Sequence, residues 1–166
     1  MDGVLADVFE QFLDWDERDH GVRQLREEAM GKKEMDVFKS ARKYVYTEKF
    51  FRTLKVMEDS QEVLERIHRN YDLYIVSAAT EFPQSLPEKQ EWLLEHFPFI
   101  SWEKIVFCGS KQIIQADIMI DDHFKNLDNF NGELSILYTQ PHNAKTDAGR
   151  HKRAHNWREV ETLLFS

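Results

Sequence analysis

Apolar residues between positions 5 and 49 recur at three- and four-residue spacing. Phe9, Phe12, Leu13 and Trp15 form one run, and Val22, Leu25 and Ala29 continue it beyond Gly21. That period predicts helix rather than strand. Gly31 and the pair Lys32-Lys33 mark a break, after which Val37, Phe38, Ala41 and Val45 make a second apolar face. No segment of this half reads as a strand, and residues 50–54 read as a short extended or turn segment leading out of it.

From about residue 59 the pattern changes to alternation of helix and strand. Asp59 with Glu62 gives a capping-box signature for a helix through Val63, Leu64 and Ile67. Leu73-Tyr74-Ile75-Val76 is a short apolar run of the kind found in buried strands. Ser85 and Pro87 start another helix, carrying Trp92, Leu93 and Phe97. Residues 104–107, 118–120 and 134–138 are three more short apolar runs, and Asn156 with Glu159 caps a last helix through Val160 and Leu163. Residues 140–155 read as a loop. Strands separated by helices predict an α/β protein with a parallel sheet.

In open parallel sheets, ligands sit beyond the carboxyl ends of the strands. The polar residues following each predicted strand therefore carry the candidate chemistry: Ser77, the stretch from Cys108 to Lys111, and Asp121-Asp122. Adjacent acids at a strand end are costly to bury without a cation or a donor. Oxygen-rich carboxylate pairs suit Mg²⁺, which also bridges phosphate oxygens; alternatively the two acids cap the turn over residues 123–127. Lys111 could neutralise a transferring phosphoryl group or be a solvated lysine, and Ser77 could donate to a phosphate or cap a turn. Asp2 and Asp7 suit helix N-termini equally well. His151 and His155, four apart, read as part of a solvated loop, since Lys152 and Arg153 between them would repel a metal. Cys108 has no evident activating partner.

Composition narrows the partners. With 42% hydrophobic residues, including 12 Phe, 5 Tyr and 4 Trp, the chain of 166 residues can bury a real core. A formal charge of -8 disfavours a nucleic-acid polymer as partner while leaving room for a small anion. One cysteine excludes an internal disulfide framework and suits a reducing, cytoplasmic setting. No apolar stretch of about 18 residues predicts a membrane span, and the first residues lack a signal-peptide pattern.

In combination these segments resemble the 5'(3')-deoxyribonucleotidase family of the haloacid dehalogenase superfamily. Met1-Asp2-Gly3-Val4-Leu5-Ala6-Asp7 resembles its first motif without the leading aspartate. Residues 49–54 resemble the exit from its cap, and Tyr74-Ile75-Val76-Ser77 its second motif. Lys111 followed by Ala116-Asp117-Ile118-Met119-Ile120-Asp121-Asp122 resembles the third and fourth motifs. His142-Asn143 and Asn156-Trp157-Arg158-Glu159 also have counterparts.

The resemblance implies a Rossmann-like parallel sheet of the haloacid dehalogenase type with a small helical cap inserted near the N-terminus. The core would take residues 1–7 and 51–166 and the cap residues 8–50. It implies a Mg²⁺-dependent phosphatase for nucleoside monophosphates working through an aspartyl-phosphate, with Asp2 as general acid/base. Asp2 (through its backbone carbonyl), Asp122 and nearby Asp121 would face the metal, and Ser77 and Lys111 would hold the phosphate. Val8, Phe9, Phe38, Tyr44 and Tyr46 are the candidates for substrate selection, with Val8 in place of a typical aromatic. Homodimerisation is a further implication of the family.

The nucleophilic aspartate of the first motif would precede Met1. The expectation is that the sequence is short at its N-terminus, for instance through a start assigned at an internal Met. The alternatives are a nucleotide-binding protein without catalysis and a superfamily phosphatase for another small phosphate. A chain truly beginning at Met1 is expected to fold poorly, with the central slot of its sheet open. Four buried Val/Ile-type residues are worth roughly 6–12 kcal/mol, comparable with a domain's whole stability of about 5–15 kcal/mol.

Overall fold

A computed structural model describes residues 1–166. Its first helix, α1, spans Val8–His20. Asp7 caps it, accepting a hydrogen bond from the Glu10 backbone N–H at 2.9 Å, which satisfies one of the free donors at a helix start. Gly21, at φ 77°, closes it in the left-handed conformation. That stop overrides the spacing of Val22, Leu25 and Ala29. Val22 and Leu25 are exposed, and only a 3-10 turn over Arg26–Ala29 follows. Two short helices, α2 (Glu34–Val37) and α3 (Ala41–Val45), complete the helical half.

Aromatic packing holds these pieces together. Phe12 lies 5.4 Å from Phe38 and 4.9 Å from Phe50 between ring centroids, and Trp15 meets Phe50 edge-on at 5.2 Å. Offset and edge-on arrangements are the favoured geometries for such rings. This half also contains a strand that the sequence reading missed. β1 (Ala6–Asp7) pairs antiparallel with β2 (Lys55–Val56), and two-residue strands are too short to show a period.

The remainder alternates as the sequence predicts: α4 (Ser60–Asn70), β3 (Ile75–Ser77), α5 (Ser85–His96), β4 (Ile105–Phe107), β5 (Ile118–Asp121), α6 (Phe124–Leu127), β6 (Leu134–Tyr138), β7 (Lys152–Ala154) and α7 (Trp157–Phe165). Asn156 caps α7, accepting from the Glu159 N–H at 2.9 Å, while the Glu159 carboxylate accepts from the His155 N–H at 2.8 Å. The capping box expected at Asp59 does not form. Asp59 precedes α4 with φ 61°, and its carboxylate accepts instead from Arg158.

Residues 140–155 are not a plain loop. They hold a 3-10 turn over Pro141–Asn143 and the strand β7, whose Lys152 and Arg153 hide it from a hydrophobicity pattern; charged residues are usual on strands at a sheet edge. His151 departs from the solvated-loop expectation too. It is buried between the Ser135 hydroxyl at 2.7 Å and the Asp128 carboxylate at 3.0 Å, whereas His155 is exposed.

The fold is therefore α/β with parallel strands in two hydrogen-bonded sets. β3 pairs with β4, and β5, β6 and β7 form a second set with β6 in the middle. The sets are not hydrogen-bonded to each other, so β3 and β5 each keep one edge without a strand partner. One core of 28 buried residues joins the helical half to the α/β part. Trp92 and Trp157 anchor it, donating their indole N–H groups to the carbonyls of Leu54 and Val4, both at 2.8 Å. No helix is long and apolar enough to cross a membrane.

Candidate functional site

β5 delivers two neighbouring acids, Asp121 and Asp122, into different surroundings. Asp121 ends the strand and is fully paired. It accepts from the Lys111 ammonium at 2.5 Å, the Asn126 amide at 2.9 Å and the His123 backbone N–H at 2.8 Å. Burial opposes its ionisation most strongly, but Lys111, Asn126 and the Met1 amine together hold the carboxyl below its usual range. Lys111 responds in kind: burial lowers its pKa, but Asp121, with Asp122 and Asp2, makes the net shift upward.

Asp122 is buried as well, yet its carboxylate has only two histidines within ion-pair distance. His123 and His142 each bring Nε2 to 3.7 Å from its Oδ2. Burial pushes the Asp122 carboxyl up, reinforced by Asp121. The backbone here is fixed from below, where His142 Nε2 and the Asn143 amide both contact the Asp122 carbonyl, at 2.9 and 2.8 Å.

The N-terminal segment meets this pair. Gly3, at φ 70°, packs so closely on Asp122 that a Cβ at this position would collide with the carboxylate. Glycine therefore serves both backbone conformation and space. Gln140 holds the Gly3 carbonyl at 2.7 Å. The Met1 amino group is buried, its pKa lowered to about 6 by burial first and then by Lys111, while Asp2, Asp121 and Asp122 act in the opposite sense.

Asp2 has a buried cation of its own. Lys89, from the inward face of α5, donates to Asp2 Oδ2 at 2.5 Å and lies 4.4 Å above the Phe51 ring. Burial disfavours the charged carboxylate, but Lys89 and the Met1 amine together hold its pKa down. The other oxygen, Oδ1, is buried with no hydrogen-bond partner. The sequence reading missed Lys89, although a signal was present: Ser85, Lys89, Trp92 and Leu93 all lie on the buried face of α5.

Asp2, Lys111, Asp121 and Asp122 thus lie near enough to act electrostatically on the same buried Met1 amine. Ser77 stands apart from them in its bonding. It is buried at the end of β3, its carbonyl accepts from the Cys108 N–H at 2.9 Å, and its hydroxyl bonds to no protein group. Of the five residues expected to select substrate, Phe9, Phe38 and Tyr44 are buried in the aromatic cluster and Val8 is half-buried. Tyr46 is 53% exposed. It packs edge-on against Phe82, which stacks on Phe51, the ring beneath Lys89. A line of aromatic rings therefore leads from the exposed Tyr46 to the cation that holds Asp2.

A buried, incompletely paired Asp122, an orphaned Asp2 oxygen and a glycine that leaves room beside the Asp122 carboxylate fit a small, hard cation with oxygen ligands. Lys111 beside them supplies positive charge for an anionic ligand. The arrangement can hold a divalent ion and a phosphate side by side.

Comparison with known proteins places the chain in a nucleotidase family. The family model described as "5' nucleotidase, deoxy (Pyrimidine), cytosolic type C protein" matches residues 1–166. A 5'(3')-deoxyribonucleotidase of Bacillus subtilis strain 168 is 47% identical over 115 residues, covering 69% of this chain and 65% of the relative. A 5'(3')-deoxyribonucleotidase of Bacillus phage SPbeta gives the same figures. The matched stretch thus spans just under two thirds of the length of these relatives.

Proposed function

This chain belongs to the family of cytosolic type C deoxy (pyrimidine) 5' nucleotidases, and from that membership we propose that its strand-end site binds nucleoside monophosphates and serves their hydrolysis. The observation that carries the reading is the convergence of Lys111, Asp2, Asp121 and Asp122 around the buried start of the chain. In this reading residues 8–50 act as a cap over a core formed by residues 1–7 and 51–166.

Asp122 and the Asp2 backbone carbonyl would hold Mg²⁺, with Asp121 nearby. The ion supplies charge that draws the phosphate oxygens into place. Lys111 and the Ser77 hydroxyl hold the phosphate from the protein side. Asp121 keeps Lys111 charged and aimed. The covalent step calls for a carboxylate two residues ahead of Asp2, a position that would precede Met1. That carboxylate attacks phosphorus as the bond to the nucleoside oxygen breaks, and Asp2 gives the leaving oxygen a proton.

Lys89 holds Asp2 ionised in the absence of ligand. Ionised Asp2 is the form that takes a proton from the water hydrolysing the aspartyl-phosphate. A phosphate dianion arriving beside it raises its proton affinity and prepares it for the acid step. Tyr46 and Phe82 lie on the route to Asp2 and suit a stacking base.

Phosphate release from dUMP, dTMP and sugar phosphates, measured alongside nucleotide binding, tests this reading. The 166-residue chain should bind nucleotide and release no phosphate. A chain extended ahead of Met1 by an apolar strand ending in Asp, aligned on the first motif, should turn over. Turnover by the 166-residue chain itself would place the nucleophile elsewhere. Binding without turnover in the extended chain would favour a nucleotide-binding protein, and preference for a sugar phosphate would move the substrate class.

A further inference from the structure

Residues 45–54 carry the chain out of the helical half, and one face of α5 holds them along their length. The side-chain amide of Gln84, just ahead of α5, donates to the Val45 carbonyl, and the Trp92 indole donates to the Leu54 carbonyl. Glu91 and Glu95 accept from the Arg52 guanidinium. Residues three and four apart share a helix face, so these partners stand in a row that includes Glu88.

Glu88 makes a different kind of contact. Its Oε1 accepts from the Lys49 backbone N–H at 2.5 Å, and its Oε2 from those of Phe51 and Arg52 at 3.0 and 3.1 Å. Neighbouring backbone N–H groups turned toward one point form an anion-binding concavity, and here a carboxylate of the chain itself fills it. The conformation that turns them inward is not a relaxed one. Lys49 sits at φ 69°, in the left-handed region that side chains disfavour. Without the Glu88 carboxylate three donors lose their acceptor, the N–H of strained Lys49 among them.

Phe51 is the residue on which this clamp bears. Its N–H is held by Glu88, while its ring lies 4.4 Å from the ammonium of Lys89, the next residue of α5. The same ring stacks on Phe82 at 6.0 Å, and Phe82 meets Tyr46 edge-on at 5.3 Å. Consecutive residues of α5 thus fix Phe51 by its backbone and by its ring. A displaced Phe51 would withdraw the support behind Phe82 and Tyr46.

We propose that Glu88 is a positioning residue for nucleotide recognition: by holding residues 49–52 it sets Phe51, and through Phe51 the rings of Phe82 and Tyr46. This role rests on the reading of Tyr46 and Phe82 as base-stacking rings, and adds the carboxylate that keeps them in place. Glu88 itself touches no ligand, and the phosphate side of the site at Lys111 and Ser77 does not depend on it.

Calorimetric titration of the 166-residue chain with dUMP and with inorganic phosphate, both in the presence of Mg²⁺, separates the two sides of the site. Glu88→Ala should weaken dUMP binding by up to about fivefold, the loss expected when one stacked ring is removed, and leave phosphate bound as before. Amide hydrogen exchange at Lys49, Phe51 and Arg52 should speed up in the same variant. Glu88→Gln keeps one oxygen for the Phe51 and Arg52 N–H groups and should show a smaller loss of the same kind. Melting curves identify a variant that fails to fold, and Glu88→Gln then carries the test alone. Combined with Tyr46→Ala, the Glu88 variant should cost no further affinity, since both act through one ring. Unchanged amide exchange in the folded variants would overturn the clamp, as would equal weakening of dUMP and phosphate, or losses that multiply in the double variant. Weakened dUMP binding in Tyr46→Ala beside an inert Glu88→Ala would sink the positioning role alone. An inert Tyr46→Ala would sink the stacking reading, and the role of Glu88 with it.

Discussion

The helical stretch from Val8 to Phe50 and the strand-end cluster around Asp122 are both buried, but opposite physics assembles them. In the helical stretch Phe9, Phe12, Phe38, Tyr44 and Phe50 pack ring against ring. Such contacts rest mainly on apolar burial shared among many neighbours, so each ring is replaceable by a residue of similar volume. In the strand-end cluster each pairing is specific, and pairing is uneven. Asp121 has three donors, while Asp122 has none closer than two histidines at 3.7 Å. The first region is built for stability, and the second stores an unbalanced charge.

The sharpest way to break this comparison is Asp121→Ala. It strands Lys111, whose side chain is only 11% exposed, and removes the acceptor for Asn126 and the His123 N–H. Breaking a buried ion pair from one side costs about 3–5 kcal/mol, measurable by urea unfolding. The pH dependence has a definite sign. The Asp121 carboxyl is held below its unfolded value, so its contribution is present above that value and lost as pH falls through the folded one. The deficit of the variant should therefore shrink in acid. A loss below about 1 kcal/mol at neutral pH would mean the pair contributes nothing that a solvated lysine would not.

How these two regions came to be foreseen or missed follows from the same contrast. Apolar runs and the Asn156–Glu159 cap are local, so the parallel strands and α7 were readable from the chain. Asp121-Asp122 was readable because strand position and residue type coincided. Lys89 was not, because its partner Asp2 is 87 residues away and nothing local marks a buried lysine except its place on an apolar helix face. Glu34 and His142 were hidden for the same reason, being brought together only by packing of the helical half on the core. Two local failures were different, one in the helical half and one ahead of α4. Both are backbone decisions: Gly21 ended α1 before the apolar spacing did, and the left-handed Asp59 removed the expected cap while leaving the α4 helix in place.

Asp122→Asn sharpens the comparison with a smaller effect of opposite sign. Burial raises the Asp122 carboxyl above its unfolded value. Any stability it lends is therefore full only below the unfolded value and is lost as pH rises through the folded one. Charged Asp122 is a burden at neutral pH when no cation is bound. Removing the charge should stabilise the metal-free protein by on the order of 1 kcal/mol, read as a higher melting midpoint in chelator. The difference should vanish in acid, where the native residue is itself protonated. The same variant should lose Mg²⁺ binding. If Asp122→Asn instead destabilises as much as Asp121→Ala, the two neighbouring acids play one role and the contrast between them fails.

Tyr46→Ala probes where the two regions meet and carries the smallest expected effect on stability. Its ring is exposed on one side and meets Phe82 at 5.3 Å on the other, and Phe82 stacks 6.0 Å from Phe51. Substitutions at such positions usually change stability by less than about 0.5 kcal/mol. A base stacked on this ring is worth about 1 kcal/mol at the lower end of aromatic stacking, or roughly a fivefold weaker Kd on its removal. The expected signature is thus a protein with unchanged melting and weakened affinity for nucleoside monophosphates, with inorganic phosphate bound as before. That split cannot come from loosened packing, which would lower the melting point and disturb both ligands together. Unchanged nucleotide affinity would leave the rings of the helical stretch with packing as their whole purpose, and recognition of the base would fall to residues nearer Ser77.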